Sequence, residues 1–185
     1  WLERTCGVED SAYHRLVGSK FVLSAVARTL TPSCDAQHVL VLTGPQGIGK
    51  SQAFRALAGA EYFSSNVGEI GSEDAVFNLS KFVIVELAEL AGFKKKEMEE
   101  IKRFISDTNE DLRRKYAEVS ETVVRRAVFG GTTNVREFLL DETGNRRYWI
   151  VAVVHTEEGV LHLRRDRDQI IAEAVHLYLA AERCP

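Results

Sequence analysis

Along residues 11–30, Leu16, Leu23, Ala27 and Leu30 recur at helical spacing, with Val17 and Phe21 beside them. The stripe predicts an amphipathic helix that stops near Thr31-Pro32, because the residue before a proline disfavours helical backbone. The pattern then shortens. "HVLVLTG" (38–44) is a Val/Leu run entering a glycine loop, which reads as a buried strand. Residues 50–59 return to a helix ending at Gly59, and "SEDAVFNL" (72–79) reads as a short helix capped by Ser72. "KFVIVEL" (81–87) predicts a second buried strand. "KKKEMEEIKRFIS" (94–106) predicts a helix with Met98, Ile101 and Ile105 on one side. "VVRRAVFGGTTN" (123–134) reads as a third strand and "RRYWIVAVV" (146–154) as a fourth. "RDQIIAEAVHLYLAAE" (167–182) closes the chain as a helix with Ile171, Val175 and Leu179 on one face.

Strands alternating with helices predict an α/β fold, a central and mostly parallel sheet flanked by helices on both faces. The polar stretch 107–124 breaks the alternation and reads as a protruding hairpin or loop. A length of 185 residues suits one domain, and there is no internal repeat. The chain opens on Trp1-Leu2 without a methionine, so it reads as a piece of something longer.

Composition changes this picture little: 45% of residues are hydrophobic and 28% charged, which is ordinary globular usage. No apolar run approaches the roughly 18 residues of a membrane span, so no membrane is expected, and no charged-then-apolar leader opens the chain, so secretion is not expected either. Cys6, Cys34 and Cys184 are odd in number, far apart and form no CxxC pair. They imply reduced thiols in a cytoplasmic protein, with neither a zinc site nor a disulfide framework. A net charge of −3 excludes a generic polyanion binder. The charge is unevenly spread, however. Residues 102–147 hold ten Lys/Arg against eight Asp/Glu, a net of +2, whereas residues 61–100 hold four against nine, a net of −5. Basic doublets recur at Arg113-Arg114-Lys115, Arg125-Arg126 and Arg146-Arg147.

The chemistry starts at "GPQGIGKS" (44–51), which fits GxxxxGK[ST] through Gly44, Gly49, Lys50 and Ser51. Small residues let the backbone curl until successive N–H groups point at a phosphate, and the following helix adds its positive end. The stretch Gly44, Pro45, Gln46, Gly47, Ile48, Gly49, Lys50, Ser51 and Gln52 is therefore expected to hold a nucleotide. Lys50, expected to face solvent, would reach the outer phosphates, and the Ser51 hydroxyl would help bind Mg²⁺. This makes a P-loop NTPase fold the expectation. Its parts are a helical segment 1–36, an ATPase core 37–155 and a helical segment 156–185.

A phosphate loop needs a second strand that delivers an acid to the metal. "FVIV" followed by Glu86 does so, at the end of a run where an unpartnered charge would be costly. Glu89, three residues on, can face the outer phosphate as general base for water. Leu87 stands where a second adjacent acid would be, which leaves the choice of base between Glu86 and Glu89 open. The third strand ends in "GGTTN". A polar group at that tip would sit between loop and acid and hold the attacking water, with Asn134 the first choice and Thr133 the second. "DETGNRRYW" then presents Arg146 and Arg147 on a turn before a strand, a form that suits an arginine finger offered in cis or to a neighbouring subunit. Arg146 is the nearer to the turn, and Arg147 can instead pair with Asp141 or Glu142.

Taken together, "VLTGPQGIGKS", "VIVELAEL", "GTTNVREFLLDETGNRRYWIV" and "RDQIIAEAVHLY" resemble the virulence-associated protein E family. This is the P-loop ATPase domain of phage and mobile-element primase–helicase proteins, similar to superfamily three helicases within the AAA+ group. The "GTTN" and "GNRRYW" pair behind "VELAEL" is far more specific than the phosphate loop alone. The resemblance implies an ATP- and Mg²⁺-dependent motor, assembled as a homo-oligomeric ring in the full-length protein, moving on single-stranded DNA. It also implies a DNA-contacting hairpin between the acid strand and the polar-tipped strand. Lys102, Arg113, Arg114, Lys115 and Tyr116 lie in that stretch. The split acids Glu86 and Glu89 depart from the family's adjacent pair. Two other readings stay open: a P-loop ATPase that remodels or loads replication proteins without unwinding DNA, and a nucleotide kinase.

Overall fold

The structure is a computed structural model. It describes residues 1–32, 34–70, 72–93, 95–106, 109–112, 121–135, 145–154 and 157–182, and the side chains of these except Lys95, 109–112, Glu121, Thr122, Glu157 and Glu182. In chain order the elements are α1 (Leu2–Cys6), α2 (Ala12–Leu30), β1 (Val39–Thr43), α3 (Lys50–Ala58), β2 (Phe63–Ser64), α4 (Glu73–Lys81) and β3 (Ile84–Leu87). They continue with α5 (Lys95–Ser106), β4 (Asn109–Leu112), β5 (Glu121–Val124), β6 (Val128–Thr133), β7 (Tyr148–Ala152) and α6 (Glu157–Glu182).

Five strands form one sheet in the order β2-β3-β6-β1-β7, every neighbouring pair parallel. Both faces are covered, and the period of two along each strand divides the core accordingly. Leu40 and Leu42 of β1 join a cluster with Val22 and Phe21 of α2, Phe54 of α3 and Leu163 of α6. Val39 and Val41, pointing the other way, pack with Leu79 of α4 and Ile101 and Phe104 of α5. The strands are short apolar runs because both of their faces are buried.

Local chemistry sets the ends of the helices. Ser11 caps α2 by accepting from the His14 N–H, and Ser72 caps α4 by accepting from the Ala75 N–H. Gly59 stops α3 with φ 87°, a value that favours glycine.

Four local expectations need correction. The buried face of α2 is Val17, Gly18, Phe21, Val22, Ala25, Val26 and Arg28, while Leu16 and Leu30 are exposed. Small residues on that face let the helix lie close to α1 and the sheet, which outweighs the larger apolar area of the two leucines. The stretch 123–134 is two strands, not one. The chain leaves β5 at Val124, turns its Arg125 side chain wholly inward beside Phe104, and starts β6 at Val128. Arg125 is thus no part of a solvated basic doublet. Helix α6 begins at Glu157, ten residues before the predicted start. It buries Val160, Leu163 and Ala174, while Leu179 is exposed. Finally, the five-residue α1 and the two-residue β2 are too short to announce themselves by periodicity.

The polar stretch 107–124 contributes an antiparallel pair, β4 with β5, outside the main sheet. The hairpin reading is met as far as these strands go. Strand β7 forms one edge of the sheet, and there the Tyr13 hydroxyl of α2 donates to the Ile150 carbonyl at 3.1 Å.

Candidate functional site

Because the strands are parallel, β1, β3 and β6 end on the same side of the sheet, and the loop after β1 rises from that side. Gly47 (φ 84°) and Gly49 (φ 89°) take left-handed backbone that a side chain would strain. Gly49 caps α3 without a side-chain bond, so the first N–H groups of α3 are left for an external acceptor. Ile48 packs inward against the core, and Gln46, Gly47, Gly49, Ser51 and Gln52 line a cleft of about 340 Å³. Ala88 and Glu89 form its opposite wall, and Thr132 and Thr133 of the middle strand, with Asn134 just past its end, lie between.

Lys50 does not face solvent: the residue is 7% exposed. Its ammonium donates to the Gly44 carbonyl at 2.7 Å, the Pro45 carbonyl at 2.7 Å and Asn134 Oδ1 at 2.9 Å. An ammonium has three N–H donors, and these three bonds use all of them. Burial holds its pKa below the ordinary lysine value, with the Glu86 carboxylate acting in the other direction.

Glu86, next to the last residue of β3, is 2% exposed. Its Oε1 accepts the Ser51 hydroxyl at 2.6 Å and the Thr132 hydroxyl at 2.7 Å. The structure thus brings together Lys50, Ser51, Glu86 and Asn134, all named from the sequence, and adds Thr132. Strand periodicity could have found Thr132, because it shares a face with Asn134 two residues on. Thr133, the second choice, turns its hydroxyl toward the Val135 backbone instead.

Two glycines make this closeness possible. A Cβ on Gly130 would meet the Phe54 ring at 2.8 Å, and one on Gly131 would meet Leu90 Cδ1 at 2.6 Å. Bare backbone at both positions lets α3, with Lys50 and Ser51, settle on one face of β6 and the turn after β3 settle on the other. In that turn Leu90 is buried and Glu89 is exposed at φ 53°, the single described non-glycine residue with positive φ. Such backbone costs about 1–3 kcal/mol and persists where its surroundings hold it. Here the buried Leu90 is the hold.

The donor set fits a hard divalent cation. Ser51 and Glu86 offer a hydroxyl and a carboxylate side by side, and among the described residues there is no cluster of three or more His, Cys, Asp or Glu. One or two protein oxygens completed by substrate phosphates is the arrangement magnesium favours.

The two arginines lie elsewhere. Arg146 and Arg147 occupy the turn Asn145–Arg147 just before β7, whose first residue Tyr148 pairs with Val39 at the start of β1. They therefore stand at the opposite end of the sheet from the glycine loop, at least one five-residue strand away, roughly 16 Å at about 3.3 Å per residue. Arg146 is exposed, and Arg147 donates from Nε to the Ser106 hydroxyl at 3.1 Å. Asp141 and Glu142 fall outside the described residues, so the alternative pairing of Arg147 with them does too. Next to this turn His38 stacks on Trp149, ring centroids 4.3 Å apart.

The nucleic-acid candidates divide. Arg113, Arg114, Lys115 and Tyr116 lie outside the described residues. Lys102 needs correcting: it is buried on α5, with its ammonium 2.7 Å from Glu99 Oε1, so it does not project toward a phosphate backbone. A larger groove of about 730 Å³ lies between α2, α3 and α6, but it gathers no comparable set of acid, hydroxyl and lysine. No described helix is long and apolar enough to cross a membrane.

Comparison with known proteins supports the fold. The apo structure of the NrS-1 C-terminal region superposes with a TM-score of 0.64 at 17% identity, covering 94% of this chain and 44% of that one. An A-form apo structure of the same region gives a TM-score of 0.60 at 17% identity, covering 92% and 42%. This chain therefore spans less than half of the region it resembles. No curated protein matches it. The model of the virulence-associated protein E-like domain matches residues 1–184.

Proposed function

The chain belongs to the virulence-associated protein E-like domain family, and we propose that it is the ATP-hydrolysing motor domain of a replicative DNA helicase acting on single-stranded DNA. We read its fold as that of a P-loop NTPase, similar to superfamily three helicases in the AAA+ group. One observation carries this reading: Lys50 with Asn134, and Ser51 with Glu86, meet in one cleft at the ends of three adjacent parallel strands. The interposed strand β6 supports hydrolysis in particular, since it puts a neutral amide between the loop and the acids, where an attacking water would be held.

In this reading the N–H groups of residues 46–51 cradle the phosphates, and Lys50 exchanges its loop carbonyls for phosphate oxygens. Ser51 and Glu86 would hold Mg²⁺, which when bound would supply positive charge against the phosphates. Asn134 orients the water. Glu89 accepts its proton: it lines the cleft and is exposed, whereas the buried Glu86 already accepts two hydroxyls. Arg146 serves a neighbouring subunit's phosphates in a ring. Arg113, Arg114, Lys115 and Tyr116, which fall between β4 and β5 in the sequence, contact the DNA.

The test is ATP turnover by the full-length protein with and without single-stranded DNA, alongside strand separation of a forked duplex. Stimulation together with unwinding supports the helicase. Hydrolysis without either favours the remodelling ATPase, and transfer of phosphate to a nucleotide instead of water favours the kinase. Absence of any ATP turnover or transfer defeats the reading.

A further inference from the structure

We propose that Thr132 is a positioning residue of this cleft: its hydroxyl sets the Glu86 carboxylate so that Oε1 is satisfied inside the protein and Oε2 is left for the metal–nucleotide complex. The inference rests on the ATPase reading above. Both hydroxyls that reach Glu86, from Ser51 at 2.6 Å and Thr132 at 2.7 Å, converge on Oε1. A carboxylate oxygen can accept two such bonds, and doing so fixes the plane of the group.

The two donors are not equivalent. Ser51 is an exposed residue in the first turn of α3 and is itself a candidate to hold the metal, so its bond to Glu86 is the one that can be given up. Thr132 is buried in a central strand, and its β-branched side chain is stiff about χ1. Its bond is the one that remains. Along β6 and just past its end, Gly130 makes room for α3 through Phe54, Thr132 holds the acid and Asn134 holds the lysine. Three alternate residues thus tie the strand to the loop and the acid at once.

The experiment compares Thr132→Val, which keeps the shape but loses the donor, with Thr132→Ser, which keeps the donor. Binding of Mn²⁺ to full-length protein holding a non-hydrolysable ATP analogue is titrated by electron paramagnetic resonance. Analogue binding in EDTA and a thermal melt are measured beside it. Thr132→Val should weaken Mn²⁺ binding by about tenfold or more, the scale of a hydrogen bond to a charged group. Thr132→Ser should stay within about threefold of the parent on the same argument, and metal-free analogue binding should not move. If Thr132→Val does not fold, Thr132→Ala removes the same donor with less bulk and is read in the same way. Parent-like Mn²⁺ binding in the donor-free variant overturns the inference alone. So does an equal loss in Thr132→Ser, which would assign the effect to the methyl group. If the parent binds no Mn²⁺ beside the analogue, the ATPase reading falls and takes the inference with it.

Discussion

Lys50 and Asn134, 84 residues apart in the chain, are joined by a 2.9 Å hydrogen bond from ammonium to amide oxygen. The lysine is therefore a strut between α3 and β6 as well as a charge. Lys50→Ala should lower ATP turnover by about 100-fold or more, as loss of a preorganised charge does. It should also destabilise the fold by about 1–3 kcal/mol, because three acceptors lose their donor. Turnover and a urea melt on the same protein check both halves, and parent-like values in either would contradict the corresponding role.

Glu86 and Glu89 should separate cleanly. Glu89→Gln should bind ATP normally and hydrolyse it about 10²–10⁴-fold more slowly, the range of general-base catalysis. Glu86→Gln should in addition lose the magnesium dependence of nucleotide binding. Calorimetric titration with and without Mg²⁺, beside turnover, distinguishes them. The reverse pattern would mean that the buried acid is the base.

Gly131 is where packing meets chemistry, since an added Cβ would lie 2.6 Å from Leu90 Cδ1. Gly131→Ala should cost about 1–3 kcal/mol from overpacking and slow turnover by displacing the Glu89 turn. Combined with Leu90→Ala, the loss should fall short of the sum of the single losses by about 1 kcal/mol, as expected of residues in contact. Strict additivity in urea melts would disconnect the two positions.

Arg146 stands too far from the glycine loop of its own chain to touch phosphates there. In the assembled full-length protein, Arg146→Ala should bind ATP yet hydrolyse it about 10³-fold more slowly or worse. Mixing it with Lys50→Ala should restore turnover where an intact arginine meets an intact loop. A mixture that never recovers would rule out service between subunits.

His38 predicts a pH effect. Burial lowers its pKa from the ordinary 6.5; Asp35 opposes this, and Lys20, Arg147 and Arg146 add to it. As pH falls, the unfolded chain takes this proton first. The folded state therefore loses stability as pH drops through about 6.5 toward the folded pKa, and His38 contributes no such loss well above it. His38→Phe, which can still stack on Trp149, should lose less melting temperature between pH 7.5 and 5.5 than the parent does. Equal acid losses in the two proteins would show that His38 is not the group responsible.

The sheet was legible in the sequence because doubly buried strands are continuous apolar runs, and "VLVLT" and "IVEL" have few other uses. The loop, Glu86 and Asn134 were legible because their chemistry demands particular residues at strand ends. Faces were harder. The α2 reading followed Leu16 and Leu30, whereas close packing selected Gly18, Ala25 and an inward Arg28 that donates to the Ala127 carbonyl at 2.8 Å. Charge alone cannot say where an arginine or lysine goes. Arg125, Lys102 and Lys50 are all buried, each stabilised by partners that only the folded chain supplies. Thr132 was passed over because a hydroxyl has no signature until its acceptor is known.

A parallel sheet with free edges invites another strand to continue it. At one edge β2 is only two residues long, too short to template much pairing. At the other, the hydroxyl of Tyr13 donates to the carbonyl of Ile150, the middle residue of β7, and so takes up an acceptor that an incoming strand would need. One tyrosine thus works as a stopper against runaway strand addition.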